Sequence, residues 1–131
     1  MPTRKPLIAI VDDDQSMREA TKGLMRSLGF DAEDFSSADD FLNFPRLRRT
    51  DCLVTDIHMP GMSGLELHRR LVALGVSMPT VLITAYPNES VRARGFGPDI
   101  VGYLEKPFGE QDLLNCIRSA LERGSDVEGN G

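Results

Sequence analysis

Long apolar runs, an excess of positive charge and metal-type cysteine spacing are all missing from this 131-residue chain. Each absence removes a class of function. No apolar stretch approaches the roughly 18 residues of a membrane span, so no membrane partner is expected. The basic start MPTRKPLIAIV runs its apolar residues straight into aspartates, unlike a secretory signal. At a net charge of −5 no global basic field recruits nucleic acid, and no direct nucleic-acid binding is expected. The two cysteines, Cys52 and Cys116, are read as small buried hydrophobes in a reducing, cytoplasmic setting. Internal repeats and low-complexity tracts are also lacking. The length suits one domain of ordinary globular composition.

What is present is an alternation of two kinds of segment. Leu7–Val11 is a short apolar run suited to a strand buried on both faces. Met17, Ala20, Thr21, Leu24 and Leu28 follow at helical spacing, with Gly29 where a C-terminal cap belongs. Ala32–Phe35 is a more polar strand of the kind found at a sheet edge. Ser37 can cap a short helix containing Phe41, Leu42 and Phe44, which Pro45 stops. Cys52–Thr55 reads as a strand, the Pro- and Gly-containing Asp56–Gly64 as a loop, and Leu65–Leu74 as a helix ended by Gly75. Thr80–Ile83 and Ile100–Leu104 are further strands, and a final helix runs from about Glu110 to Arg123. Residues 124–131, GSDVEGNG, carry no apolar anchor and are expected to be a disordered tail behind a domain at 1–123. Because that tail is short and no second domain begins in it, a stand-alone unit is expected rather than a piece cut from a longer protein.

Strands alternating with helices imply βαβ crossovers and a parallel sheet covered on both faces. Ligands of such sheets bind beyond the carboxyl ends of the strands. At those ends lie Asp12, Asp13 and Asp14 after strand 1, Asp56 after strand 3, Thr84 after strand 4, and Glu105 with Lys106 after strand 5. Like charges gathered in a low-dielectric crevice need compensation. A hard cation such as Mg²⁺ supplies it, because it takes oxygen ligands and is held by one or two carboxylates together with phosphate oxygens. Open positions on that ion point to a phosphoryl substrate, with Lys106 as its cation and the Thr84 hydroxyl as a donor. Asp56 is then placed as the nucleophile, giving an aspartyl phosphate.

These residues carry a resemblance. VDDDQSMR at Val11–Arg18, VTDIHMPGMSGLEL at Val54–Leu67, VLITAY at Val81–Tyr86 and YLEKPF at Tyr103–Phe108 resemble the receiver domain of bacterial two-component response regulators. The nitrogen-fixation regulator subfamily is the most similar. The resemblance implies a flavodoxin-like (βα)5 fold, a doubly wound five-stranded parallel sheet in the order 2-1-3-4-5. It implies that Asp56 accepts a phosphoryl group from a sensor histidine kinase, that Asp13 binds Mg²⁺ directly, and that Asp12 holds the metal's waters. The His58 backbone carbonyl would complete the protein's share of the coordination. Lys106 would contact a phosphoryl oxygen ahead of a cis proline bond. Thr84 would be the switch hydroxyl and Tyr103 the aromatic that turns inward with it. Such a domain catalyses only its own phosphorylation and dephosphorylation, and is not a turnover enzyme. It would signal to an output protein or output domain, or pair with a second copy, through the face of helix 4, strand 5 and helix 5.

Blander readings stand beside these. Asp14 reads as a solvated helix cap, His68 as a surface residue beside Arg69 and Arg70, and Arg46, Arg48 and Arg49 as a solvated loop. Tyr103 suits plain packing as well as switching. The His58 imidazole faces solvent, with water access to the acyl phosphate as its role. One departure from the family concerns PNESVRARGFGPDIV, where Gly95, Gly97 and Pro98 limit the fourth helix to a short or irregular stretch from about Glu89 to Arg94. Two other classes compete. Asp12-x-Asp14 also fits a haloacid-dehalogenase-type phosphatase with Asp12 as nucleophile, and a receiver-like module could bind partners without phosphorylation.

Overall fold

The computed structural model describes residues 5–87, 97 and 99–130, with side chains to residue 122. Three five-residue strands, β1 (Leu7–Val11), β3 (Cys52–Asp56) and β4 (Thr80–Thr84), are buried at every position, as strands covered on both faces must be. The more polar β2 (Asp31–Phe35) and β5 (Ile100–Glu105) flank them. All pairs are parallel, as the alternation predicts, in the order β2-β1-β3-β4-β5 that the resemblance implies. Alternate residues of each strand feed two cores. Ile8, Ile10, Val54 and Val81 pack with Met25, Leu113 and Ile117 on one face. Ala9, Val11 and Leu53 pack with Phe41, Leu67 and Leu71 on the other.

Register is what places the site. Val11 pairs with Thr55, Asp56 with Ile83, and Thr84 with Glu105, so the strands end level with one another. Backbone bonds continue one residue past the strands, from Asp12 N–H to the Phe35 carbonyl at 3.1 Å and from Lys106 N–H to the Thr84 carbonyl at 2.8 Å. Residues 12, 56 and 106 are therefore held at one edge by the same ladder that builds the sheet.

The helices begin and end where local chemistry dictates. Asp14 caps α1 (Gln15–Ser27), its Oδ1 accepting from Met17 N–H at 3.2 Å. Ser37 does the same for α2 (Ala38–Leu42) through Asp40 N–H, and Ser63 for α3 (Gly64–Ala73) through Glu66 N–H. Gly29 ends α1 at φ 95°, a left-handed conformation that suits glycine. A short 3-10 turn, Leu47–Arg49, precedes β3. Arg46 pairs with Glu33 at 2.8 Å and Arg48 donates to the Leu74 carbonyl at 3.2 Å, so this exposed basic run is partly engaged in holding the turn. Cys52 is fully buried, while Cys116 is half-buried against Gly102.

Three expectations meet a different outcome or none. The short or irregular fourth helix at about Glu89–Arg94 lies outside the described residues, so the C-terminal helix is labelled α4. It spans Glu110–Asn130, a range that runs through most of the expected tail at 124–131. Glycine lowers helix propensity by about 1 kcal/mol but keeps its N–H, and no proline interrupts the ladder there. His68 is corrected: it is buried, not on the surface. Gly64, Leu67, His68 and Leu71 form one inward stripe of α3 at i, i+3, i+4 and i+7, and that spacing outweighs the neighbouring arginines. Gly97 gives the ring its room, since a Cβ there would stand 3.3 Å from His68 Cε1.

The His68 Nε2 has no hydrogen-bond partner among the described residues. Burial pushes its pKa below the usual 6.5, against the raising influence of Asp99 in the β4–β5 connection and with the lowering influence of Arg69. The folded state thus favours neutral His68, and the unfolded state takes up more protons as pH falls below about 6.5. His68 should cost stability on acidification from pH 7.5 to 5.5. Urea midpoints are expected to fall more steeply over that interval in the wild type than in His68→Leu.

Candidate functional site

Three strand ends bring together a cluster that alternates in charge. Lys106 Nζ lies 2.8 Å from Asp56 Oδ2 and 3.3 Å from Asp12 Oδ2. Each carboxylate divides its oxygens in the same way. Asp12 Oδ1 accepts from Asp14 N–H at 2.9 Å, and Asp56 Oδ1 accepts from His58 N–H at 3.1 Å. One oxygen thus shapes its own loop while the other meets the lysine. Asp12 and Asp56 are only 6% and 7% exposed, whereas Asp13 is exposed. Oxygens of Asp12, Asp13 and Asp56 all lie within 4.8 Å of one another.

Three carboxylates against one ammonium leave the cluster short of positive charge. Burial pushes the Asp12 carboxyl up, and the neighbouring negative Asp56 adds to this. The Asp14 amide and Lys106 offset it only in part. Burial works against the Lys106 charge too, but the hydrogen bond to Asp56 and the attraction of both carboxylates raise its pKa, so it stays an ammonium. The donor set is entirely carboxylate oxygen and carries uncompensated negative charge. That chemistry fits a hard divalent cation and does not fit a thiolate- or imidazole-seeking metal.

Thr84 is fully buried at the end of β4, and its Oγ1 accepts from Tyr86 N–H at 2.9 Å. Tyr86 is 72% exposed, and its ring stands edge-on to the exposed His58 ring, centroids 5.7 Å apart. Each ring lies two residues past a strand-end site residue, His58 after Asp56 and Tyr86 after Thr84. Tyr103 is half-buried in β5, in register with Leu82. The Lys106–Pro107 bond is cis. Of the residues named from sequence, Asp12 and Asp56 meet Lys106 directly, and Asp13 joins the two carboxylates within 4.8 Å. Thr84 stands beside them through the β4–β5 ladder, and Asp14 turns away to its cap.

Two supporting features were passed over in the sequence. Arg18 donates through Nη1 to the Asp12 carbonyl at 2.9 Å and through Nε to Asp34 at 3.0 Å, and Lys22 reaches the other Asp34 oxygen at 2.8 Å. Arg18 and Lys22 at i, i+4 on α1 were the available signal. Gly64 opens α3 directly against the Asp56 backbone, where a Cβ would collide with the Asp56 carbonyl. The pattern Ser63-x-x-Glu66 announced that helix start.

Comparison with known proteins places this geometry in a family. Residues 8–118 match the family model for the response regulator receiver domain. The response regulator protein TodT of Pseudomonas putida is 37% identical over 130 residues, covering 99% of this chain and 57% of that protein. The transcriptional regulatory protein FixJ of Azorhizobium caulinodans is 32% identical over 126 residues, covering 96% of this chain and 59% of its own. The chain therefore spans rather more than half the length of these relatives. Among solved structures, the response regulator StyR superposes with a TM-score of 0.87 at 39% identity, covering 96% of this chain and 64% of that one. FixJ-N superposes at 0.80 and 32% identity, covering 92% and 96%.

The close approach at Gly64 is open to a direct test. Gly64→Ala should lower unfolding stability by roughly 1–3 kcal/mol, because backbone rather than a mobile side chain must move. Gly23→Ala, in the exposed middle of α1 with nothing within 4 Å of its Cβ, should instead gain about 0.5–1 kcal/mol. Urea denaturation of both variants measures the contrast.

Proposed function

The chain belongs to the response regulator receiver domain family, and on that premise we propose that Asp56 is the phosphoacceptor of a phosphorelay. The observation that supports this most is the Lys106 ammonium held between Asp56 and Asp12. A carboxylate oxygen of Asp56 forms a bond to phosphorus as the P–N bond of a kinase phosphohistidine breaks, and the imidazole leaves with the electron pair. Lys106, already at the acceptor, holds a phosphoryl oxygen as charge moves onto it. Thr84 spends its oxygen lone pair on the Tyr86 N–H, which leaves its own proton for a phosphoryl oxygen.

Asp13, Asp12, Asp56 and the His58 backbone carbonyl would hold Mg²⁺ here. When bound, that ion supplies neutralisation of the phosphoryl charge. Engagement of Thr84 by the phosphoryl group, with Tyr103 turning inward behind it, would favour one conformer over another. The partners are a sensor histidine kinase and an output protein or domain, in the cytoplasm, with β5 and α4 as the face read by that partner or by a second copy. The chain acts on itself and turns over no separate substrate. Asp14 speaks against the phosphatase alternative, because its side chain is committed to the α1 cap.

Incubation with acetyl phosphate and Mg²⁺, followed by intact mass measurement, tests the reading. The wild type should gain the mass of one phosphoryl group, and Asp56→Asn should gain none. A group retained on Asp12 in that variant would support the phosphatase, and no modification with either acetyl phosphate or a kinase would support a binding module. The paired rings of His58 and Tyr86 yield a further expectation. His58→Asn removes one of them and should shorten the phosphoryl lifetime by roughly two- to tenfold, a decade being 1.36 kcal/mol of barrier. Decay of the phosphorylated mass with time measures it.

A further inference from the structure

We propose that Arg18 is a positioning residue for the Asp12–Asp13 pair, its guanidinium locking the peptide that joins them by tying the Asp12 carbonyl to Asp34. The inference rests on the reading of these aspartates as a Mg²⁺ site and goes beyond it. Asp13 is exposed, so where its carboxylate stands depends on its backbone. That backbone begins with the Asp12–Asp13 peptide, which is planar. Holding the carbonyl oxygen therefore orients the whole unit.

Arg18 Nη1 takes that oxygen at 2.9 Å, and Arg18 Nε takes Asp34 Oδ2 at 3.0 Å. The far anchor is itself fixed. Asp34 sits on β2 in register with Ile10, and its second oxygen accepts from Lys22 at 2.8 Å. Burial works against the Asp34 charge, but Lys22 and Arg18 outweigh it and hold the carboxyl below its usual range. The Arg18 and Asp34 side chains are 15% and 21% exposed, so water competes little for the bridge.

An ion pair that merely fastened α1 to β2 would not need the Asp12 carbonyl, since Lys22 and Asp34 already make that connection. Nor does the charge of Arg18 favour a cation nearby, because it opposes one. Asp34 cancels that charge and leaves the directed N–H group as what Arg18 contributes. Guanidinium offers two donors in a fixed fork, and an ammonium offers one nitrogen. Arg18→Lys thus keeps the charge and removes the fork.

Calorimetric titration of Mg²⁺ into wild type, Arg18→Lys, Asp34→Asn and Asp13→Asn, with urea midpoints for each, tests the proposal. Arg18→Lys should weaken Mg²⁺ binding by about tenfold while its urea midpoint stays near that of the wild type. Asp34→Asn, which loosens the far anchor alone, should weaken binding by about threefold. Phosphorylation by acetyl phosphate should slow in Arg18→Lys at low Mg²⁺ and recover at saturating Mg²⁺. Binding within twofold of wild type in both Arg18→Lys and Asp34→Asn, while Asp13→Asn abolishes it, overturns the positioning role and leaves the metal reading intact. A wild type that takes up no Mg²⁺ overturns both.

Discussion

A single ammonium between two buried carboxylates is the constraint on which the rest of the structure turns. Lys106 bridges Asp56 and Asp12 at 2.8 and 3.3 Å, and among the described residues neither carboxylate has another cation as close. Taking those charges from water costs several kcal/mol each unless they are paired and hydrogen-bonded. The pairing needs residues far apart in sequence to end level at one edge, and only a parallel sheet in this register delivers that. Removing the ammonium would leave like charges facing one another, so fold and chemistry share one interaction.

The balance is incomplete, with three carboxylates facing one ammonium, and that shortfall gives the site its direction. Asp13 adds a third carboxylate within 4.8 Å of the others and no second ammonium joins them among the described residues. A rigid scaffold keeps the repulsion from relaxing. The loop amides of Asp14 and His58 fix one oxygen of each buried carboxylate, Gly64 lets α3 press against the Asp56 backbone, and Arg18 braces the peptide between Asp12 and Asp13. Repulsion that cannot relax is available to whatever cation enters, and a phosphoryl group bound beside it meets Lys106 and Thr84 already in place.

Much of this was legible because the signals were of the kind that physics makes strict. Runs such as LIAIV and TVLIT have no charged residue to place in water, so they form central strands, and the acidic DAEDF forms an edge. Chemistry at the strand ends followed from topology, since every carboxyl end lies on one side of a parallel sheet. Asp14 was recognised as a cap because a helix start leaves amides unsatisfied. His68 was misjudged from its charged neighbours, although its i, i+4 relation to Gly64 and its place beside Leu67 and Leu71 carried the burial signal. The i, i+4 spacing of Arg18 and Lys22 marks a basic face of α1, but nothing in the sequence pairs Arg18 with the Asp12 carbonyl. A bond to a backbone carbonyl leaves no complementary residue in the sequence to point to it.

The central claim is that frustrated negative charge at this edge binds a divalent cation, and stability linkage tests it most directly. The urea midpoint of the wild type should be measured at rising Mg²⁺ with ionic strength held constant by NaCl. A ligand that binds only the folded state adds RT ln(1 + [L]/Kd), about 2.7 kcal/mol at a hundred times Kd. The midpoint should climb with Mg²⁺ in this logarithmic way, with no such climb in Asp13→Asn. A wild-type midpoint that stays flat across the titration would contradict the claim.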